Sequence, residues 1–210
     1  MHRGKTGAMR NSGDTLLGSR VNEGERRRGA FQHAIIIRAH SKRIGPGGSM
    51  LPEEKGGAYL RPGEGRSVWL VDDLVTVKLA SEDTGGAYSL TEVRTQPGGG
   101  PPPHAHRNHD EAIYVLVGDV ELSVGESSLP AGAGSCVYAP RGTLHAWRNV
   151  GAAPSRVLTV VTPGGLEGFF LEAGEPATDA SSPPPGPPDI EKVMAVAAKY
   201  GVEIPPPRDQ

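Results

Sequence analysis

Residues 98–118 read GGGPPPHAHRNHDEAIYVLVG, and residues 134–149 read GSCVYAPRGTLHAWRN. In the first stretch His104 and His106 are separated by one residue, a spacing that on a β-strand sets both rings on the same face. Pro101-Pro102-Pro103 delivers the pair through a stiff, extended lead-in with little conformational freedom. Glu111 stands beyond the polar turn Arg107–Asp110, at the head of a strand whose matching face continues as Ile113, Val115 and Val117. A carboxylate is thereby placed at the edge of an apolar interior, where an unpartnered charge is costly. Two neutral imidazoles and a divalent cation would neutralise it. In the second stretch His145 is a fourth candidate, with Trp147 and Asn149 on its face of the strand.

Outward from these segments the chain keeps the texture of short strands. Ser67–Leu70, Leu74–Leu79, Tyr88–Arg94, Ala112–Val117, Val120–Val124, Ser135–Tyr138, His145–Asn149 and Arg156–Thr162 are β-rich runs, and Gly, Pro or Asp breaks nearly every gap, as at Gly118-Asp119 and Pro130–Gly134. Regular spacing of this kind predicts an all-β sandwich or barrel. Helices are scarce. Asp189–Tyr200 is the best candidate, with Asp189 as N-cap, Ile190, Val193, Met194 and Ala197 on one face, and Gly201 as the stop. A second short helix over Leu166–Glu172 would set Phe169 and Phe170 against one end of the barrel.

Gly98, His104, His106, Glu111 and Gly118, at their observed spacings, resemble the first motif of the cupin superfamily. Gly134, Pro140, Gly142, His145 and Asn149 resemble the second, and the 15 residues between the motifs resemble the short loop of small cupins. The resemblance implies a cupin jelly-roll β-barrel, a double-stranded β-helix, and maps the family's metal ligands onto His104, His106, Glu111 and His145. Thr162–Phe170, the Pro-rich link Ser181–Pro188 and Ala197–Ile204 are similar to the tail of quercetin 2,3-dioxygenase-like single-cupin proteins, as is Gly100–His104.

Three neutral imidazoles and one carboxylate would leave a divalent metal with residual positive charge and open positions for substrate oxygens. Nitrogen and oxygen ligands suit iron, manganese, nickel, cobalt or copper and do not exclude zinc. The resemblance implies a dioxygenase-like, quercetinase-type enzyme acting on a phenolic or enolisable small molecule, with dioxygen as co-substrate if the metal is redox-active. Glu111 is placed to double as a proton acceptor if its coordination is loose. Trp147 either lines the substrate pocket or packs the barrel, and Phe169 is expected at the pocket. The same site could serve a Lewis-acid isomerase, cyclase or lyase, or a non-catalytic small-molecule-binding cupin, because this fold hosts many activities.

Composition limits the other classes. Net charge is -2, and the basic residues are concentrated early: residues 1–48 carry 10 Lys/Arg against 3 Asp/Glu, while residues 49–210 carry 12 against 21. With no helix-turn-helix pattern and an acidic body, nucleic acid is not an expected partner. No apolar run approaches the roughly 18 residues of a spanning helix, and Ala34–Ile37 is too short to serve as the core of an export signal behind Arg26–Arg28. The single cysteine, Cys136, rules out an internal disulfide and a cysteine-based zinc cluster. A cytoplasmic homodimer is expected, the dimer on the resemblance alone.

The sequence divides into a basic, disordered extension (residues 1–49, with Met50 a candidate natural start), the barrel with its lead-in (50–172), a Pro-rich linker (173–188) and a C-terminal helix and tail packed on the barrel (189–210). Three further placements are read from local pattern. His109, in a polar turn, is expected at the surface, Cys136 in the core, and Tyr114 on the face opposite Glu111.

Overall fold

The computed structural model describes residues 57–206. The expected disordered extension and the candidate start at Met50 lie outside these residues. Twelve strands are described: β1 (Arg66–Leu70), β2 (Asp73–Leu79), β3 (Ser89–Thr95), β4 (Ala105–His106), β5 (Asp110–Val117), β6 (Val120–Val124), β7 (Ser127–Ala131), β8 (Cys136–Ala139), β9 (His145–Asn149), β10 (Ser155–Thr162), β11 (Glu175–Pro176) and β12 (Val202–Glu203). Two helices, α1 (Glu167–Ala173) and α2 (Ile190–Lys199), complete them. One sheet has the order β11-β1-β2-β3-β10-β5-β8, a second β7-β6-β9, and β12 pairs with β4. The non-consecutive neighbours β3-β10-β5 give the crossed antiparallel wiring of a jelly roll.

Alternation sets the interior. Along β3, Ser89, Thr91, Val93 and Thr95 are buried, and along β5 Glu111, Ile113 and Val115 are. Val75, Val93, Ile113, Val115, Leu122, Trp147 and Val157 are among the residues that meet in one apolar core. Each such side chain contributes about 1.5–3 kcal/mol on burial. Val117 departs from the expected inward series and is 42% exposed. A register shift against β10 between Arg156 and Val157 puts one extra residue on β5 and turns Val117 outward. A second correction concerns Pro130, expected as a break. It lies within β7, an edge strand of its sheet, where a missing N–H is tolerated.

The C-terminal segment is tied to the body at several points. β11 pairs with β1, the Trp69 indole donates to the Asp179 carbonyl at 2.8 Å, and the Arg94 guanidinium reaches the Ala180 carbonyl. Asp189 caps α2 by accepting from the Lys192 amide. Val196 and Ala197 of α2 pack with Leu166 and Phe169 in a second apolar cluster. Ile190 and Met194, expected on that buried face, are 51% and 42% exposed. Lys199 and Tyr200 both bond the Glu172 carboxylate of α1, and a Cβ on Gly168 would lie 2.6 Å from the Tyr200 ring, so the two helices approach through a glycine.

Candidate metal centre

The Pro-rich lead-in and the two motifs converge through backbone pairing. The His104 amide donates to the His145 carbonyl at 3.0 Å and the His145 amide to the His104 carbonyl at 2.8 Å. This double bridge holds the two rings 4.4 Å apart between centroids. Just before it the chain passes close to β9: the Gly98 amide donates to the Asn149 carbonyl and the Asn149 amide to the Gly99 carbonyl. Gly100, at φ 136°, passes so near the Trp147 carbonyl that a Cβ would collide with it. On the other side β4 pairs with β12, matching His106 with Val202.

His104, His106, Glu111 and His145 therefore meet, each offering one ligand atom, with all four atoms within 4.8 Å of one another. They are 8%, 4%, 3% and 2% exposed. Glu111 Oε2 lies 2.8 Å from His106 Nε2 and 3.0 Å from His145 Nε2. The Nδ1 atoms of His104 and His145 donate to the Pro102 and Thr143 carbonyls, each at 2.9 Å. That fixes both rings with Nε2 toward the cluster. With Nδ1 protonated, a neutral His145 would point an Nε2 lone pair at a carboxylate oxygen, so the arrangement calls for a positive charge at its centre. A proton on His145 or a shared cation supplies it. Donors about 2.1 Å from one ion and at right angles lie about 3 Å apart, which matches the two observed separations. The cluster fits a cupin metal site.

The electrostatics agree. Burial, together with the facing His145 and His106 rings, pushes the His104 pKa down to about 4, which keeps the ring neutral and able to ligate. Burial alone would raise Glu111, but the hydrogen bonds from His106 and His145 hold it well below the usual carboxylate range. Burial also works against protonation of His145, yet the Glu111 hydrogen bond and charge lift it above its ordinary value. A deprotonated carboxylate among imidazoles is a donor set with affinity for borderline divalent cations.

The cluster opens into a cavity of about 330 Å³, within the range of small-molecule sites. Phe169, expected there, lines it, and Trp147 does both things left open for it, lining the cavity and packing in the core, with its indole donating to the Thr95 hydroxyl at 3.3 Å. Ile190, Val193 and Met194 of α2 also line the cavity, the first and last of them while remaining exposed. The sequence reading missed Asp73, which lines the same cavity. Its spacing of two from Val75 was the available signal.

Two placements are overturned. His109, expected at the surface, is 9% exposed, with Gly165 packed beside its Nε2. Cys136, expected in the core, is exposed on β8 opposite Tyr114. Tyr114 is 42% exposed, on the face opposite Glu111 as expected. Asp110, next to the ligand carboxylate, holds Arg141 through both carboxylate oxygens and so ties β5 to the loop that precedes His145.

Residues 91–161 match the family model for a cupin domain. A quercetin 2,3-dioxygenase of Bacillus subtilis is 28% identical over 134 residues, 64% of this chain and 40% of that protein. Germin-like protein subfamily 2 member 2 of Arabidopsis thaliana is 32% identical over 78 residues, 35% of this chain and 36% of that protein. The chain thus spans about two-fifths of the length of these curated relatives. A solved structure from Thermus thermophilus is 31% identical, with a TM-score of 0.36, over 37% of this chain and 74% of that one. Among the described residues, no helix is long and apolar enough to cross a membrane.

Proposed function

Since this chain belongs to the cupin superfamily, we propose that it is a metal-dependent enzyme acting on a phenolic or enolisable small molecule, with dioxygenase-like chemistry of the quercetinase type. The observation that carries the reading is a buried set of three imidazoles and one carboxylate at the end of a mostly apolar cavity. His104, His106, Glu111 and His145 would hold a divalent ion, with iron, manganese, nickel, cobalt, copper and zinc all compatible with these donors. Bound there, the ion would lower the pKa of a coordinated hydroxyl and, if redox-active, open the route to dioxygen.

The chain's own residues supply the rest. The apolar walls, with Trp147 and Phe169 among them, receive the body of the substrate and exclude water, which strengthens every polar interaction at the cluster. Glu111, if its coordination loosens, would accept a proton from the substrate hydroxyl through Oε1, while Oε2 stays within hydrogen-bond reach of two imidazoles. The fixed Nδ1 bonds of His104 and His145 keep their rings from turning during the reaction.

The test is oxygen consumption by metal-loaded protein supplied with flavonols and related enols. Uptake that requires both metal and substrate is the expected result. Turnover that persists without oxygen would move the assignment to a Lewis-acid isomerase, cyclase or lyase, and no uptake with any of the metals removes the dioxygenase reading.

A further inference from the structure

The cavity contains one more group with chemistry of its own. Asp73 opens β2, and strand alternation sets it on the same inward face as Val75 and Val77, which are 1% and 3% exposed. Asp73 and Val75 both line the cavity. Leu74 pairs with Arg94, which brings Asp73 alongside Thr95, whose hydroxyl accepts from the Trp147 indole at 3.3 Å. The register thereby sets Asp73 beside the wall that carries Trp147.

The lining contains neither Lys nor Arg, so Asp73 is not half of an ion pair within the cavity. Burial, opposed by the neighbouring Thr95 hydroxyl and assisted by the Asp72 charge, raises its pKa to about 6, a sign of incomplete compensation. Thr159, 1% exposed, lines the same cavity, and its hydroxyl has no hydrogen-bond partner among the described residues. Val71, in the turn that delivers Asp73, adopts φ 57°. A β-branched residue in that region costs about 1–2 kcal/mol, so the turn is held in place by more than local preference.

We propose that Asp73 is a second anchor of the cavity: its carboxyl group hydrogen-bonds a hydroxyl or other uncharged polar group on the part of the ligand remote from the imidazoles and repels ligands with an anion at that position. Thr159 offers a further hydroxyl on the cavity wall. The assignment rests on the reading of the imidazole–carboxylate cluster as a phenol-binding metal centre and narrows its substrate. The ligand class is an apolar-bodied phenol or enol with oxygen functions at both ends, and ligands that would set a phosphate or carboxylate against Asp73 are excluded.

Three probes sharing one chelating end separate the possibilities: 3-hydroxyflavone, 3,4′-dihydroxyflavone and 4′-carboxy-3-hydroxyflavone, each titrated by fluorescence into the nickel-loaded full chain. Wild-type protein is expected to prefer the dihydroxy probe to the parent by at least about tenfold and to bind the carboxylate at least about tenfold more weakly than the parent. Asp73→Ala should remove the hydroxyl preference and the penalty on the carboxylate, while Asp73→Asn keeps the first and loses the second. A melting temperature at or above the wild-type value at pH 7.5 shows that the variants are folded. Unchanged preferences in Asp73→Ala overturn the assignment. Failure of all three probes to bind wild-type protein refutes the phenol-binding reading of the cluster itself, and the assignment with it.

Discussion

Replacing Asp73 by Asn should make the protein more stable at neutral pH, and by an amount the structure bounds. The carboxyl has its pKa raised from 3.8 to about 6 in the folded chain. An acid with a raised folded-state pKa binds more protons folded than unfolded between those two values. Stability therefore falls as pH rises from about 4 to about 6, and the full penalty is present above that window. Two units correspond to about 3 kcal/mol, and partial solvent access at the cavity mouth reduces this to roughly 1–2 kcal/mol. For a chain of this size that is a rise of roughly 3–6 °C in melting temperature. Thermal and urea melts of wild type and Asp73→Asn across a pH series provide the assay. The gain should be complete at pH 7.5, less than half as large at pH 4.5, and absent near pH 3.5. No stabilisation at pH 7.5, or a gain that does not change with pH, would refute the argument that a half-buried, incompletely compensated carboxyl resides there.

His106→Ala and Glu111→Gln are expected to cut divalent metal affinity by at least about 100-fold, read by elemental analysis and competition with a chelator, with far-UV circular dichroism retained. Saturating wild-type protein with a cation at about 100 times its dissociation constant should stabilise it by about 2.7 kcal/mol, and chelator should reverse the shift in melting temperature. Gly100→Ala drives a methyl group into the Trp147 carbonyl from a φ of 136° and should cost at least about 2 kcal/mol in a urea titration. Truncation after Pro188 removes α2 and β12, exposing Leu166, Phe169 and the open edge of β4. Both the melting temperature and the affinity for metal should drop in the truncated chain.

Much of the site could be read along the chain because its donors lie on or beside three strands, β4, β5 and β9, whose faces follow from alternation. His104, His106, Glu111 and His145 are placed by spacing and resemblance, and the structure brings all four together. Tertiary packing defeats the local readings elsewhere. His109 sits in a polar turn, but the segment around Gly165 folds over it, and nothing near residue 109 announces that contact. Cys136 lies on a four-residue strand, too short for alternation to assign a face. Ile190 and Met194 satisfy the helical pattern of a buried stripe, yet the stripe spans more than the body behind it and part of it borders a cavity. Asp73 was hidden by its neighbour: Asp72-Asp73 looks like turn punctuation, although the second of the two belongs to the inward series of Val75 and Val77. The two-residue strands β11 and β12 carry no periodicity and form only because distant edges receive them.

Strand β12 also bears on how the centre is assembled in time. Its partner β4 presents His106, and Val202 leaves the ribosome 57 residues after His145, the last of the four donors. Throughout that interval the nascent sheet has a bare flank beside the donors, and the helical cover has not arrived. The wall beside His106 is thus the last part of the centre to be completed.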